Sequence, residues 1–320
     1  DRETIFVHGD YDVDGMAGTA LLARWLSRLG GKVASFVPHR IRDGYDLGPG
    51  GLKEALEASA SVLLTVDCGI LAHKTVDEAK RQGLDVIVTD HHVPGEELPQ
   101  ALAVLNPARP DSLYPNRDLC GAGVAFKLCQ GLAEAHGINQ EELHPLLDLV
   151  GLATISDLVP LKGENRILAR YGLKALAQTQ NVGLRALMEE AGVGPDEVSA
   201  GKISFGLAPR LNALGRLGEP KDGLRLLCTQ DREEARRMAR LAEEVNRERQ
   251  AVDRKTLEEA EDLLARSYNP ETDFGVVLAS EGWHPGVVGI VASRVVERIH
   301  RPTILVALEG DRGRGSARSI

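Results

Sequence analysis

The chain has 320 residues, 43% of them hydrophobic and 27% charged, with a net charge of −9 and only 4% aromatic residues. This is the balance of a globular protein long enough for two domains. It excludes a generally basic nucleic-acid coat and a binding surface made mainly of stacked rings. No apolar stretch approaches the roughly 18 residues of a membrane span, and the opening residues carry no signal-peptide pattern.

In chain order, the first half reads β-α-β-α-β-α-β. Residues 4–8 predict a strand and 15–29 a helix, in which Ala20, Leu21, Leu22, Trp25, Leu26 and Leu29 fall at helical spacing. Strand 32–37 follows, then a Gly/Pro-rich loop with Arg40 and Arg42, helix 49–58, strand 62–67, helix 74–82, strand 85–90 and a strand near 102–105. Continuous β-branched runs mark buried parallel strands, and their crossovers should be right-handed. From Gly121 to about Gly192 the pattern is helical, in segments 121–136, 140–155, 165–178 and 183–191.

Residues 201–218 are basic and Gly-punctuated with no strong period, which reads as a loop. Asp231 to Tyr268 is amphipathic without Pro or Gly, a helix of about 57 Å. Arg249 interrupts its apolar seam, favouring a bridge between domains over a coiled coil. After Asn269-Pro270 come strand 274–279, helix 285–299, strand 303–308 and a Gly/Arg/Ser stretch to Ser319. The expected fold is α/β: a parallel-sheet domain over 1–197, the basic stretch and long helix over 198–268, and a smaller α/β domain over 269–320. Because the chain opens on Asp1 and stops at Ile320 inside apparent structure, a longer parent protein is expected. Cys68, Cys120, Cys129 and Cys228 form no C-x-x-C pair, which points to reduced thiols in a cytoplasmic protein rather than zinc or disulfides.

The chemistry lies where apolar runs stop on acidic or imidazole side chains. Residues 4–7 run into His8-Gly9-Asp10-Tyr11-Asp12-Val13-Asp14-Gly15, 62–66 into Asp67, 86–89 into Asp90-His91-His92, and a helical run from Leu146 ends at Asp157. Taken singly, Asp14 reads equally as a helix cap, Asp67 as an ordinary strand end and Asp157 as a cap. Taken together, they meet, because the carboxyl ends of strands in an open α/β sheet share one crevice. Such a cluster repels itself unless cations neutralise it. Mixed carboxylate and imidazole ligands favour Mn²⁺ or Mg²⁺, with Fe, Co or Zn open. So many acids suggest two ions about 3.5–4 Å apart sharing a carboxylate, an arrangement suited to phosphoester hydrolysis. Arg210 and Arg216 flank Asn212, Arg40 follows the second strand, and Gly315-Ser316-Ala317-Arg318 has the parts of an anion nest. Salt bridging and helix capping are the plain alternatives for these residues.

The strings His8–Gly15 and Asp90-His91-His92 resemble the DHH phosphoesterase superfamily. Residues 208–216, 281–292 and 313–319 further resemble the RecJ family of bacterial single-strand-specific 5′→3′ DNA exonucleases, over essentially the whole chain. The resemblance implies a DHH domain joined by the long helix to a truncated DHHA1-type domain, with single-stranded DNA in the groove between them and an OB-fold missing. It implies that His8, Asp12, Asp14, Asp67, His91 and Asp157 hold two Mn²⁺ or Mg²⁺ ions, with Asp67 bridging and Asp10 behind the ligands or as an alternative one. His92 would face the scissile phosphate. Arg40, Arg210, Asn212, Arg216, Gly315, Ser316 and Arg318 would bind DNA and its 5′-phosphate. The implied enzyme is a monomer without membrane contact, working in repair and recombination beside a single-strand-binding protein and a helicase. Two rivals are a DHH hydrolase of short oligonucleotides, cyclic dinucleotides or pyrophosphate, and a non-catalytic replication scaffold. The first usually carries a Gly-Gly-Gly-His type motif, where this chain has Gly313-Arg314-Gly315-Ser316-Ala317-Arg318-Ser319. The second has eroded carboxylates, which this chain retains.

Overall fold

The computed structural model describes residues 3–320. These divide into two compact units, up to Glu243 and from Glu244 to Ile320.

In the first unit, β1 (Thr4–Gly9), β2 (Lys32–Phe36), β3 (Val62–Val66), β4 (Asp85–Thr89) and β5 (Ala103–Leu105) form an all-parallel sheet in the order β2-β1-β3-β4-β5. The crossovers contain α1 (Val13–Arg28), α2 (Pro49–Glu57) and α3 (His73–Arg81). Inward positions of the strands meet helices on each side, so the runs are apolar without alternation. Phe6, Leu63, Val86 and Val88 pack with Leu52, Ala55, Val76 and Ala79 of α2 and α3. On α1 the predicted apolar positions Ala20, Leu21, Leu22, Trp25 and Leu26 are closed to solvent, with Trp25 1% exposed, whereas Leu29 is the half-buried C-cap; each large side chain so buried contributes roughly 1.5–3 kcal/mol.

The helical half contains α4 (Gly121–Ala135), a 3₁₀ turn at Gln140–Leu146, α5 (Leu147–Ser156), α6 (Gly163–Ala177) and α7 (Val182–Glu190). The single helix expected over 140–155 is split because Pro145 cannot continue an α ladder.

The basic stretch is not a loop. After a 3₁₀ turn at Pro195–Glu197, one continuous helix runs from Ala200 to Arg216: a turn α8 (Ala200–Lys202), a π turn at Ile203–Leu207, and α9 (Ala208–Arg216). Pro209 explains both the misreading and the π turn. It has no N–H, and its ring would strike the carbonyl of Phe205 in a regular α-helix; the wider turn instead gives the Ala208 N–H to Ile203 O, five residues back. A helix without a sequence expectation, α10 (Pro220–Cys228), follows with Pro at its start and Leu224, Leu226 and Leu227 buried. The long helix α11 spans Arg232–Ser267, and the division between units falls inside it.

The second unit has β6 (Val276–Ser280), α12 (Val288–Ile299), β7 (Thr303–Glu309) and β8 (Arg312–Arg318), in the order β6-β7-β8 with β8 antiparallel. Leu264, Val276, Leu278, Trp283, Val291, Val295 and Leu305 form its core, and Trp283 Nε1 donates to Glu259 Oε2 at 2.9 Å. Gly315–Arg318 does not form the expected nest. The segment is a strand in register with β7, from Thr303 opposite Arg318 to Glu309 opposite Arg312, so its amides alternate along a ladder instead of converging on a point. Among the described residues all four cysteines are free thiols, and no helix is long and apolar enough to cross a membrane.

Candidate metal centre

Register sets the site. Gly9 at the end of β1 lies opposite Val66 of β3, and Val66 opposite Thr89 of β4, so Asp10, Asp67 and Asp90 leave the sheet at one level. Asp67 turns out of its strand with φ at +61°, a left-handed backbone that Asp tolerates better than most side chains. Gly121, the first residue of α4, presses on it so closely that a Cβ there would lie 2.5 Å from Asp67 Cβ. Asp157 arrives from the other direction as the C-cap of α5.

Three overlapping groups result, each with one ligand atom per residue within 4.8 Å of the others: Asp10, Asp12 and Asp67; Asp14, His91 and Asp157; Asp67, His91 and His92. Asp67 and His91 link them. His91 Nε2 lies 2.9 Å from Asp67 Oδ1 and 3.8 Å from both Asp14 Oδ2 and Asp157 Oδ2. Asp67 Oδ1 and Asp10 Oδ1 are buried and accept no hydrogen bond, even though His91 stands beside the former. Two ligand atoms brought this close without a hydrogen bond are arranged as they would be around a shared cation.

The acids are anchored by backbone donors. Asp14, 2% exposed, accepts from Gly121 N at 2.6 Å and Ala122 N at 2.7 Å, the first amides of α4. Asp12 caps α1, accepting from Asp14 N and Gly15 N. The expectation that Asp14 might only cap its own helix is replaced: Asp12 is that cap, and Asp14 is held by the N-terminus of α4. Without cations these carboxyls resist ionisation. Burial first, and then each other's charge, pushes Asp10 and Asp67 well up and Asp157 up to about 8. Burial also raises Asp14, against the pull of His91.

Asp90 organises the imidazoles. Its Oδ1 accepts from the N–H groups of His91 (2.7 Å) and His92 (3.0 Å) and lies 2.8 Å from His92 Nδ1, while Oδ2 accepts from Ile70 N. Burial opposes its charge, but the His92 hydrogen bonds outweigh that and hold Asp90 below its ordinary pKa. The Asp90 hydrogen bond raises His92 in turn, and His92 Nε2 lies 3.1 Å from Tyr45 Oη.

His8 is not brought into any of the three groups. Its strand position commits the ring to the α2 side of the sheet: a Cβ on Gly51 would lie 2.3 Å from Nε2, Nδ1 is 3.6 Å from Cys68 Sγ, and Phe36 packs against it. Burial drives its pKa down to about 4, so it is neutral. Asp10, just beyond the strand, occupies the place expected of it.

Beside the acids is a cleft of about 160 Å³ lined by Asp10, Tyr11, Asp12, Arg40, Tyr45, His92, Asn212 and Arg216. Arg40 lies over the Tyr11 ring, 5.2 Å from its centroid. Asn212 Oδ1 accepts from Val13 N at 3.1 Å, and α9 comes so near that a Cβ on Gly215 would lie 2.3 Å from Tyr11 O. Arg210, expected to contact DNA, does not line this cleft; its Nη1 donates to Gly206 O at 2.6 Å and its Nε lies 2.7 Å from Glu243 Oε2. In the second unit, Arg318 Nη1 donates to Ser316 Oγ at 2.9 Å, and both side chains lie over Gly289 in the first turn of α12. Tyr11, Tyr45 and the bracing role of Asp90 escape sequence reasoning. Gly44-Tyr45-Asp46 has no periodicity, and its only signal is that it follows β2, whose carboxyl end opens on the same edge.

The model of the DHH family N-terminal domain matches residues 4–154. The chain is 40% identical over 321 residues to the single-stranded-DNA-specific exonuclease RecJ of Bacillus subtilis (strain 168), covering 100% of this chain and 40% of that protein. It is 44% identical over 320 residues to the RecJ of Thermus thermophilus, covering 99% and 45%. A solved exonuclease RecJ bound to manganese matches with a TM-score of 0.87 and 41% identity, over 100% of this chain and 78% of that one. The chain spans about half the length of the curated relatives it matches.

Proposed function

The chain belongs to the RecJ family of DHH proteins, and from that premise we propose that it is a metal-dependent exonuclease that degrades single-stranded DNA from the 5′ end to mononucleotides. The observation that carries this reading is the meeting of Asp10, Asp12, Asp14, Asp67, His91 and Asp157, with the buried Asp10 Oδ1 and Asp67 Oδ1 accepting no hydrogen bond, beside a cleft bearing Arg40 and Arg216. Two Mn²⁺ or Mg²⁺ ions, when bound, supply a hydroxide nucleophile at neutral pH and neutralise the phosphodiester oxygens. Asp67 and His91, shared between groups, hold the two positions in register. Asp90 orients His92 through Nδ1 and favours its charged form, so that His92 Nε2–H, on leaving Tyr45 Oη, would donate to the leaving oxygen. Arg40 and Arg216 draw the phosphate into the cleft and Asn212 fixes its wall against α1. In the second unit, Ser316 and Arg318, side by side over the first turn of α12, would take a phosphate. The enzyme works in the cytoplasm as a monomer, in repair and recombination, beside a single-strand-binding protein and a helicase.

The test is cleavage of end-labelled single strands, with and without a 5′-phosphate, in Mn²⁺ or EDTA. Mononucleotides released from the 5′ end alone, and only with metal, are the expected outcome. Cleavage of dinucleotides or pyrophosphate but not of long strands would transfer the assignment to a small-substrate hydrolase.

A further inference from the structure

Phe205 is 88% exposed in a chain with only five Phe, and it sits inside the π turn that precedes α9. An aromatic ring of this size left in water gains nothing for the fold, and π turns inside α-helices cluster at functional sites. Two contacts hold the turn open. Ala208 N–H reaches back to Ile203 O, and the Arg210 guanidinium takes up the Gly206 carbonyl while lying against Glu243. Ile203 and Leu207 bury the opposite side, so the ring is fixed facing out.

The helix ties this ring to the metal centre. Phe205, Pro209, Asn212 and Arg216 stand at i, i+4, i+7 and i+11, which is one helical face. Asn212 and Arg216 line the cleft beside the acids. Phe205 lies about 10 Å along the axis from Asn212 and about 16 Å from Arg216. A strand whose phosphate occupies the cleft and which follows this face therefore runs over the ring.

Resting on the exonuclease reading, we propose that Phe205 is a stacking platform for a nucleobase of the single-stranded substrate, downstream of the scissile phosphate, and that Arg210 positions it through the π turn instead of touching DNA. Every base has a π face, so such a platform grips a strand without reading its sequence.

The experiment uses the 320-residue protein in Mn²⁺ with 5′-phosphorylated strands carrying one abasic site moved stepwise from the 5′ end. For the wild type, kcat/KM should fall roughly tenfold at one position near the end. Phe205→Ala should lose about the same factor on the intact strand, mainly in KM, and show no further loss at that position; Phe205→Trp should restore both. Arg210→Ala should mimic Phe205→Ala in its abasic profile. Melting temperatures should match the wild type for both Phe205 variants. A Phe205→Ala protein with wild-type kinetics, or one that keeps the abasic penalty, would overturn the platform while leaving the exonuclease reading intact. A wild type that cleaves no single strand at all would overturn both.

Discussion

The two units each bury a charged cluster, and the clusters are opposites. In the first, five carboxylates surround two imidazoles, and Arg40 and Arg216 stand only in the cleft beside them. In the second, one carboxylate stands between two guanidiniums: Asp253, 2% exposed, lies 3.1 Å from Arg294 and 3.5 Å from Arg249, and Arg249 also donates to Asn246. In the second cluster the buried acid is offset by guanidiniums of the chain itself, and the group belongs to the fold. The first lacks that many cations of its own, and the missing charge is what bound metal ions would supply. The same chemical change should therefore have opposite consequences in the two places.

The largest contrast is Asp→Asn at position 67. Activity should drop by at least ~10²–10³-fold, while the metal-free protein melts higher at neutral pH, because the fold no longer has to hold a buried carboxyl that ionises freely once unfolded. At position 253 the same change should cost about 3–5 kcal/mol in a denaturant titration and leave the metal dependence of cleavage unaltered. Equal signs at the two positions would refute the comparison.

Next in size, Asp90→Ala should reduce kcat about 10–100-fold with little effect on melting, since it releases His91 and His92 without emptying the core. A pH series then sharpens the contrast. Asp157 is pushed up to about 8 in the folded protein against 3.8 for an ordinary carboxyl, so between those values the folded state holds a proton that the unfolded state has lost. Stability in EDTA should accordingly fall as pH rises across that window, and Mn²⁺ should raise the melting temperature more at pH 8 than at pH 5.5. A flat profile in EDTA would contradict it. At the small end, Arg28→Ala, which breaks the exposed pair with Glu142, should cost at most ~0.5 kcal/mol.

What was legible in the sequence follows from how local each cause is. The sheet of the first unit could be read because buried parallel strands are near-continuous apolar runs, and the meeting of Asp12, Asp14, Asp67, His91, His92 and Asp157 because strand ends share an edge. His8 misleads because its neighbours are ligand types, whereas its strand position sends the ring toward Gly51. Arg210 misleads similarly, since nothing local reveals Glu243 waiting on a helix that begins beyond α10. The helix at 200–216 and the strand β8 were hidden by Gly and Pro, whose usual message as breakers is overruled by a π turn in one case and by pairing with β7 in the other.

The left-handed backbone at Asp67 narrows what mutation can do there. Asn and Gly share Asp's tolerance of that conformation, and neither carries charge. Glu would keep the charge but force a longer chain into a strained φ against Gly121. The centre therefore has no conservative retreat at this position: a lineage that drifts from Asp67 loses its shared acid in a single step, and Asn or Gly is the residue it would leave behind.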